Sequence, residues 1–230
     1  MQWIERRLRR TGMIHKEPQI IKHELDLETE WQRQTEILAS HFANELGFQT
    51  EEYVETLPKF ESPENFRHGF VPVIVENGRI PLPRMLEIAH VGTDFDIQES
   101  NDWKKDRFRT SNIPYVAWLN IIRMEVEKVR KKLLKDKNVR GGTIHEAIAF
   151  SLIPTSIYGT DHDIFDVLES RSLLFPGSEA GSVYVPDLAM YEVPIVRDGV
   201  TLRERERRLR LYSTQASSDG VRTHIVALRT

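Results

Sequence analysis

An α+β fold is what this sequence predicts, and three features carry that prediction. One long amphipathic helix is written into Asp26 to Leu46. Runs rich in β-formers recur at 70–76, 113–119, 183–196, 209–214 and 222–228, crowded towards the C-terminus. Helical and extended segments alternate irregularly, which argues against a regular βαβ series. The expected architecture is a single domain over 23–230 with a mixed or antiparallel sheet, preceded by a basic N-terminal helical arm over 1–22 and closed by a C-terminal β-hairpin.

Taken in order, the arm Met1–Arg10 is basic and places Trp3, Ile4 and Leu8 on one apolar side if helical. It reads as a terminus that packs one tryptophan, the alternative being a contact with an anionic surface. In the first helix Leu27, Trp31, Leu38, Phe42 and Leu46 form a stripe, with Asp26 as N-cap and Gly47 as the C′ glycine. Pro58 and Pro63 mark 48–68 as irregular. Residues 70–76 read as a strand, and Pro72, which has no N–H to donate, puts it at an edge. Asn77-Gly78 predicts a hairpin returning through 79–82, followed by a short helix over 84–90. Ile113–Leu119 reads as a buried strand, and 123–136 as a charged helix with Met124, Val129 and Leu133 inward.

The stretch from Arg140 to Tyr191 looks like the centre of the chain. Arg140-Gly141-Gly142 leads into Thr143-Ile144-His145-Glu146, a capping box with Thr at N-cap and Glu at N3. Ile144, Ala147, Ile148 and Leu152 form that helix's apolar side, and Pro154 ends it. A second short helix is expected over 161–169. Residues 183–196 are strand-like with breaks at Pro186 and Pro194, and 209–214 and 222–228 flank Ser217-Ser218-Asp219-Gly220 as a closing hairpin.

Composition narrows the function classes. The chain has 230 residues, 32 Lys and Arg against 35 Asp and Glu, and a net charge of -3, so no global basic excess marks a nucleic-acid binder. It has no cysteine, which removes disulfides, thiol chemistry and Cys-based zinc sites and fits a reducing compartment. No apolar h-region follows the basic start, so no signal peptide is expected, and no apolar run is long enough to span a bilayer.

Several residue clusters are candidates for chemistry. Asp94 and Asp96, and later Asp161 and Asp163, have the carboxylate spacing a hard cation uses. Each pair follows Gly-Thr and precedes an apolar residue, which is also how helix caps read, so no metal and no cofactor is expected. Asp102-Trp103-Lys104 with Asp94 upstream matches, in outline, a metal-dependent nuclease that holds its ion on acids and positions water with lysine. His145 and His162 titrate near neutrality in principle, yet their isolated positions read as solvated or capping. Ser178 and Ser182 lack the spacing of a nucleophile elbow, and the 177–182 loop has no P-loop lysine.

The charge runs are the other candidates. Between Arg123 and Arg140 stand eight basic residues against three acidic ones, among them Lys128, Arg130, Lys131 and Lys132. Arg203, Arg205, Arg207, Arg208 and Arg210 are interleaved with Glu204 and Glu206. On a strand Arg203, Arg205 and Arg207 share a face; on a helix the alternation is a solvated surface. Converging, these runs would make a polyanion-binding face; apart, they are solvated or protein-contacting surface.

Pro114-Tyr115, Thr143 with Glu146-Ala147-Ile148-Ala149, Pro176-Gly177-Ser178, Val185-Pro186-Asp187-Leu188 and Ala216-Ser217-Ser218 follow one another in an order that resembles a family of uncharacterised bacterial proteins. The resemblance covers about the C-terminal half. An arginine-rich segment stands here where that family carries tryptophan-bearing sequence. It implies a bacterial cytoplasmic protein and assigns no chemistry. The function expected is therefore a non-catalytic binding or assembly protein, engaging a protein partner, a second copy of itself or nucleic acid through charged surfaces. The alternative is a metal-dependent phosphodiester hydrolase built on Asp94, Asp96, Asp102 and Lys104.

Overall fold

The computed structural model describes residues 26–67, 69–76, 79–93, 113–153, 172–176, 184–197, 200–215 and 221–229, with the backbone alone described for most of 184–197 and 200–215. The arm over 1–22, the predicted helix over 161–169 and the Asn77-Gly78 pair lie outside these residues.

Helix α1 spans Leu27–Phe42. The Asp26 carboxylate caps it, accepting from the backbone N–H groups of Glu28 (3.2 Å) and Thr29 (3.4 Å). It then tightens into a 3-10 turn over Asn44–Leu46 and stops at Gly47, which takes the left-handed φ of 76°. Trp31, Leu38 and Phe42 are buried as the stripe predicts. Each such side chain contributes roughly 1.5–3 kcal/mol by leaving water. A short helix α2 (Thr50–Glu55) follows where an irregular segment was expected. Glu52 starts it by accepting from the Gln49 N–H at 3.0 Å, and Tyr53 is its one buried residue.

Strand β1 (Val71–Val75) is an end strand of an eight-stranded sheet, as Pro72 predicts. It does not turn back through 79–82. Residues 79–80 bend into helix α3 (Leu82–Ile88), whose first turn holds Pro83, a residue suited to helix starts and lost to a ladder. After α3 come β2 (Val91–Thr93), the long β3 (Tyr115–Glu125), helix α4 (Val126–Lys135) and β4 (Val139–Gly141). Met124, expected inside the charged helix, still belongs to β3. Helix α5 (Ile144–Leu152) follows, then β5 (Ser172–Leu174), β6 (Tyr184–Arg197), β7 (Val200–Gln215) and β8 (Val221–Leu228).

The fold is α+β with a mixed sheet in the order β1-β3-β8-β5-β6-β7-β2, and β4 pairs β8 off this path. Two pairings are parallel, β2 with β7 and β5 with β8; the others are antiparallel. The C-terminal hairpin is formed by β6 and β7, not by β7 and β8 as the turn residues at 217–220 suggested. Strand β8 leaves β7 and inserts between β3 and β5. Its residues 224–228 are all buried, which demands neighbours on both sides. Strand β6 runs through Pro186, which lies outside the 187–189 stretch paired with β5, while the interruption expected at Pro194 appears as a shift of register against β7.

Both faces of β3 and β8 are covered. Ala117, Leu119, Ile225 and Ala227 belong to the main core with α1 and α5. Trp118, Val139, Val226 and Leu228 form a second cluster, against which Leu133 of α4 packs. The alternation in β3 and β8 divides the two.

Candidate nucleic-acid interface

Three carboxylates lie buried in the described residues, and each is already committed. Glu146, fully buried, opens α5. It accepts from the Thr143 N–H (2.8 Å), the Tyr115 hydroxyl (3.0 Å) and both terminal nitrogens of Arg140, one of them at 2.9 Å. Thr143 Oγ1 accepts in return from the Glu146 N–H at 3.3 Å, so the capping box read from sequence is formed. Burial, then the neighbouring Glu146 charge, pushes the Tyr115 phenol well above its ordinary range. Glu76 repeats the arrangement: the Tyr53 hydroxyl donates at 2.8 Å, and Arg79 grips both oxygens at 2.6 Å. Glu30 takes a two-point grip from Arg33 and the amide of Gln34. Carboxylates saturated in this way fix strands and helix starts; they offer no oxygen to a substrate. Among the described residues no group of three histidines or acids comes together to hold a metal.

Glycine matters once here. A Cβ on Gly142 would stand 2.3 Å from Ile225 Cγ2 and 2.9 Å from its Cβ, while the Gly142 N–H bonds the Ile225 carbonyl at 2.9 Å. The Gly141-Gly142 approach therefore lets the chain press against β8 before α5 begins. His145, read as solvated or capping, is buried.

Charge gathers at the surface on α4. Val129 is buried and Leu133 faces the second core cluster, which turns the opposite side of the helix outward. On that side Lys128, Lys131, Lys132 and Lys135 stand at i, i+3, i+4 and i+7, one stripe roughly 10 Å long. Together with Asp136 they line an open groove of about 450 Å³. Lys128 meets Glu125 at 2.7 Å and Lys131 meets Glu127 at 3.4 Å, both exposed pairs of little energetic weight. Among the described residues Lys132 and Lys135 form no ion pair. The helix C-terminus favours those two cations, but like charges at i and i+4 cost roughly 0.2–0.5 kcal/mol per pair. Arg67 holds Asp136 from outside (2.5 and 3.1 Å), and its hydrogen bonds keep that carboxyl below its ordinary value.

The predicted site residues fall into separate places. Lys128, Lys131 and Lys132 are on the stripe, and Lys135 completes it. Arg130 is in the same helix but two positions past Lys128, off the stripe; its side chain lies outside the described ones. The arginine run is in a strand, β7. Arg205, Arg207 and Arg208 stand opposite Pro194, Glu192 and Tyr191, and Arg210 opposite Ala189. Two steps in β6, Pro194 to Val196, are matched by four in β7, so Arg203 sits in a bulge. Strands β8, β5 and β6 stand between β3, which α4 follows, and β7. The lysine run thus lies on α4 and the arginine run on β7. Asp94, Asp96, Asp102, Lys104, Asp161, Asp163, His162, Ser178 and Ser182 lie outside the described residues. No described helix is long and apolar enough to cross a membrane. Comparisons with protein-family models, with curated proteins and with solved structures find no match for this chain.

Proposed function

We propose that this chain is a non-catalytic nucleic-acid-binding protein that holds the phosphate backbone on the lysine stripe of α4. The observation behind this reading is the phasing of Lys128, Lys131, Lys132 and Lys135 on one exposed side of a helix whose other side is anchored in a core. A solvated helix gains from interspersed charges of both signs. Four phased ammonium groups with two carboxylate partners gain more from an anion laid along them. Lysines act on phosphate as point charges, so the binding should carry little base preference. The overall charge of -3 confines this attraction to the patch.

The test is fluorescence anisotropy with labelled duplex and single-stranded oligonucleotides across a salt series. Wild type should bind at about 50 mM salt and weaken linearly on a log–log plot. Lys131→Ala, Lys132→Ala and Lys135→Ala together should reduce the slope by roughly 0.9 per lost phosphate contact on duplex DNA. Alanine is a strong helix former, so α4 should persist in this variant. No wild-type binding at low salt, or an unchanged slope in the triple variant, would overturn the reading. Retention of an acidic protein by the same lysines in the absence of nucleic-acid binding would assign the stripe to a protein partner instead.

A further inference from the structure

We infer that Arg67 keeps the C-terminal half of the lysine groove open to phosphate by holding Asp136, the acid that lines it. This rests on the reading of α4 given above and names the residue that sets how strongly the groove attracts an anion. Lys128, Lys131, Lys132, Lys135 and Asp136 line that groove. Asp136 is an unfavourable member of the set. It stands just past the last turn of α4, where the helix dipole favours cations over anions. It also follows Lys132 at i+4, a spacing at which opposite charges pair along a helix. An unheld Asp136 would cancel one ammonium charge and set its own against the incoming phosphate.

Arg67 prevents both effects. Its two terminal nitrogens donate to the two oxygens of Asp136, at 2.5 and 3.1 Å, a two-point grip that a guanidinium makes and an ammonium does not. The Asn138 N–H donates to Asp136 Oδ1 at 3.1 Å and fixes the carboxylate from its own side. Arg67 itself comes from the segment that leads into β1. There the Phe70 N–H bonds the Arg67 carbonyl at 3.3 Å, and the Asn65 side-chain amide donates to the Arg229 carbonyl at 3.0 Å. With Asp136 held in this way, the charges of Lys132 and Lys135 remain for a ligand.

Stability alone gives little reason for this clamp. The Arg67 side chain is 40% exposed and that of Asp136 22%, and a pair so open to water adds little to folding. Its effect on the field over the groove is larger in proportion. Lys132 and Asp136 are about 6 Å apart along the helix axis, well inside the roughly 10 Å over which charges act at 0.1 M salt. Arg67 and Asp136 together are neutral, so the groove keeps the field of its lysines.

The experiment measures the anisotropy of labelled poly-dT and of a labelled duplex at about 50 mM salt. The full chain is used, as wild type, Arg67→Ala, Asp136→Asn and the double variant. Both single changes break the same clamp, but they alter the charge in opposite senses. Arg67→Ala should weaken binding about 2- to 4-fold, the Coulomb factor for unit charges roughly 5–10 Å apart in water. Asp136→Asn should tighten it by a similar factor. The double variant, neutral like the wild-type pair, should return to wild-type affinity. Arg84→Ala breaks exposed ion pairs with Glu45 and Glu87 on a helix of the main core, and should leave affinity unchanged. If both single variants weaken binding, the clamp serves only to hold the chain, and the inference is overturned. A double variant as weak as Arg67→Ala would mean that Arg67 touches the ligand itself, which also overturns it. Wild-type affinity in both single variants, with a loss in the triple lysine variant, would remove this inference and leave the α4 reading standing. If wild type binds neither probe, both fall.

Discussion

Gln34 is the residue whose replacement tests the sheet edge most directly. It sits on α1, fully buried, and its side-chain amide does what a neighbouring strand would do for β1. Nε2 donates to the Pro72 carbonyl at 2.8 Å and to Glu30 at 2.8 Å, and Oε1 accepts from the Ile74 N–H at 3.0 Å. Replacing it with leucine keeps most of the volume, so a cavity contributes little. Two buried backbone groups lose their partners, at about 1–3 kcal/mol each. The apolar gain of leucine offsets part of this, leaving an expected loss of about 2–4 kcal/mol, a large share of a typical stability of about 5–15 kcal/mol. For a chain of this size that is a fall in Tm of about 4–16 °C. Chemical denaturation gives the free energy, and amide exchange at Ile74 should accelerate in the same variant. A change below about 0.5 kcal/mol, the range of ordinary surface substitutions, would mean that water already serves those two groups. Gln34→Glu is a sharper probe. One oxygen keeps the Ile74 bond, while the other turns a charge towards the Pro72 carbonyl and the Glu30 carboxylate. Its deficit relative to wild type should be largest at neutral pH and shrink on acidification; a deficit independent of pH would refute the geometry.

Gly142→Ala should cost about 1–3 kcal/mol by overpacking against Ile225, and a wild-type denaturation midpoint would show that the close approach to β8 is absent. Thr143→Ala should cost about 1 kcal/mol as a lost N-cap, read by thermal melting; Glu146→Gln should cost about 3 kcal/mol, because the ion pair of the fully buried Glu146 with Arg140 is broken, and a loss no larger than that of Thr143→Ala would place the weight of the site on the cap alone. The Arg67–Asp136 pair carries a pH signature. The Asp136 pKa is lowered below its ordinary 3.8, chiefly by the Arg67 hydrogen bonds, so its contribution is present above that value and disappears as pH falls through the lowered one. The stability gap between wild type and Asp136→Asn should be present at neutral pH, no more than about 1 kcal/mol for a pair this exposed, and should close on acidification; a gap that widens in acid would contradict the assignment.

Local signals in the sequence translate into structure here, and long-range pairing does not. The Asp26 cap, the Thr143/Glu146 box and the edge position of Pro72 depend on groups within four residues of one another or on a missing N–H, and all three are present. The partner of β8 depends on burial across the whole sheet. Ser217-Ser218-Asp219-Gly220 suggested a turn, but His224–Leu228 is an unbroken buried run, the pattern of a strand flanked on both sides. Gln34 was legible in principle: it falls between Trp31 and Leu38 in the phase of the core stripe, where a polar residue must have a partner. The lysines stand in the sequence as a charge run, and Lys135 joins Lys128, Lys131 and Lys132 only when that run is placed on a helical phase. The aspartates of 94–102 and 161–163 lie outside the described residues.

The position of β8 has a consequence for how the chain is made. It is the last of the described strands to be synthesised, yet it joins β3 on one side to β4 and β5 on the other. Strand β3 can pair with β1 early, but only along Tyr115–Leu119; the edge over Leu119–Glu125 waits for Val221–Ala227. About a hundred residues separate the two, which at roughly 5–20 residues per second is of the order of 5–20 s of translation. For that interval Leu119-Asn120-Ile121-Ile122 presents an unpaired, strongly β-forming edge. Folding of the sheet is thus governed by a late, non-local closure, slow by topology, and the vulnerable species is the nascent chain halted before residue 221.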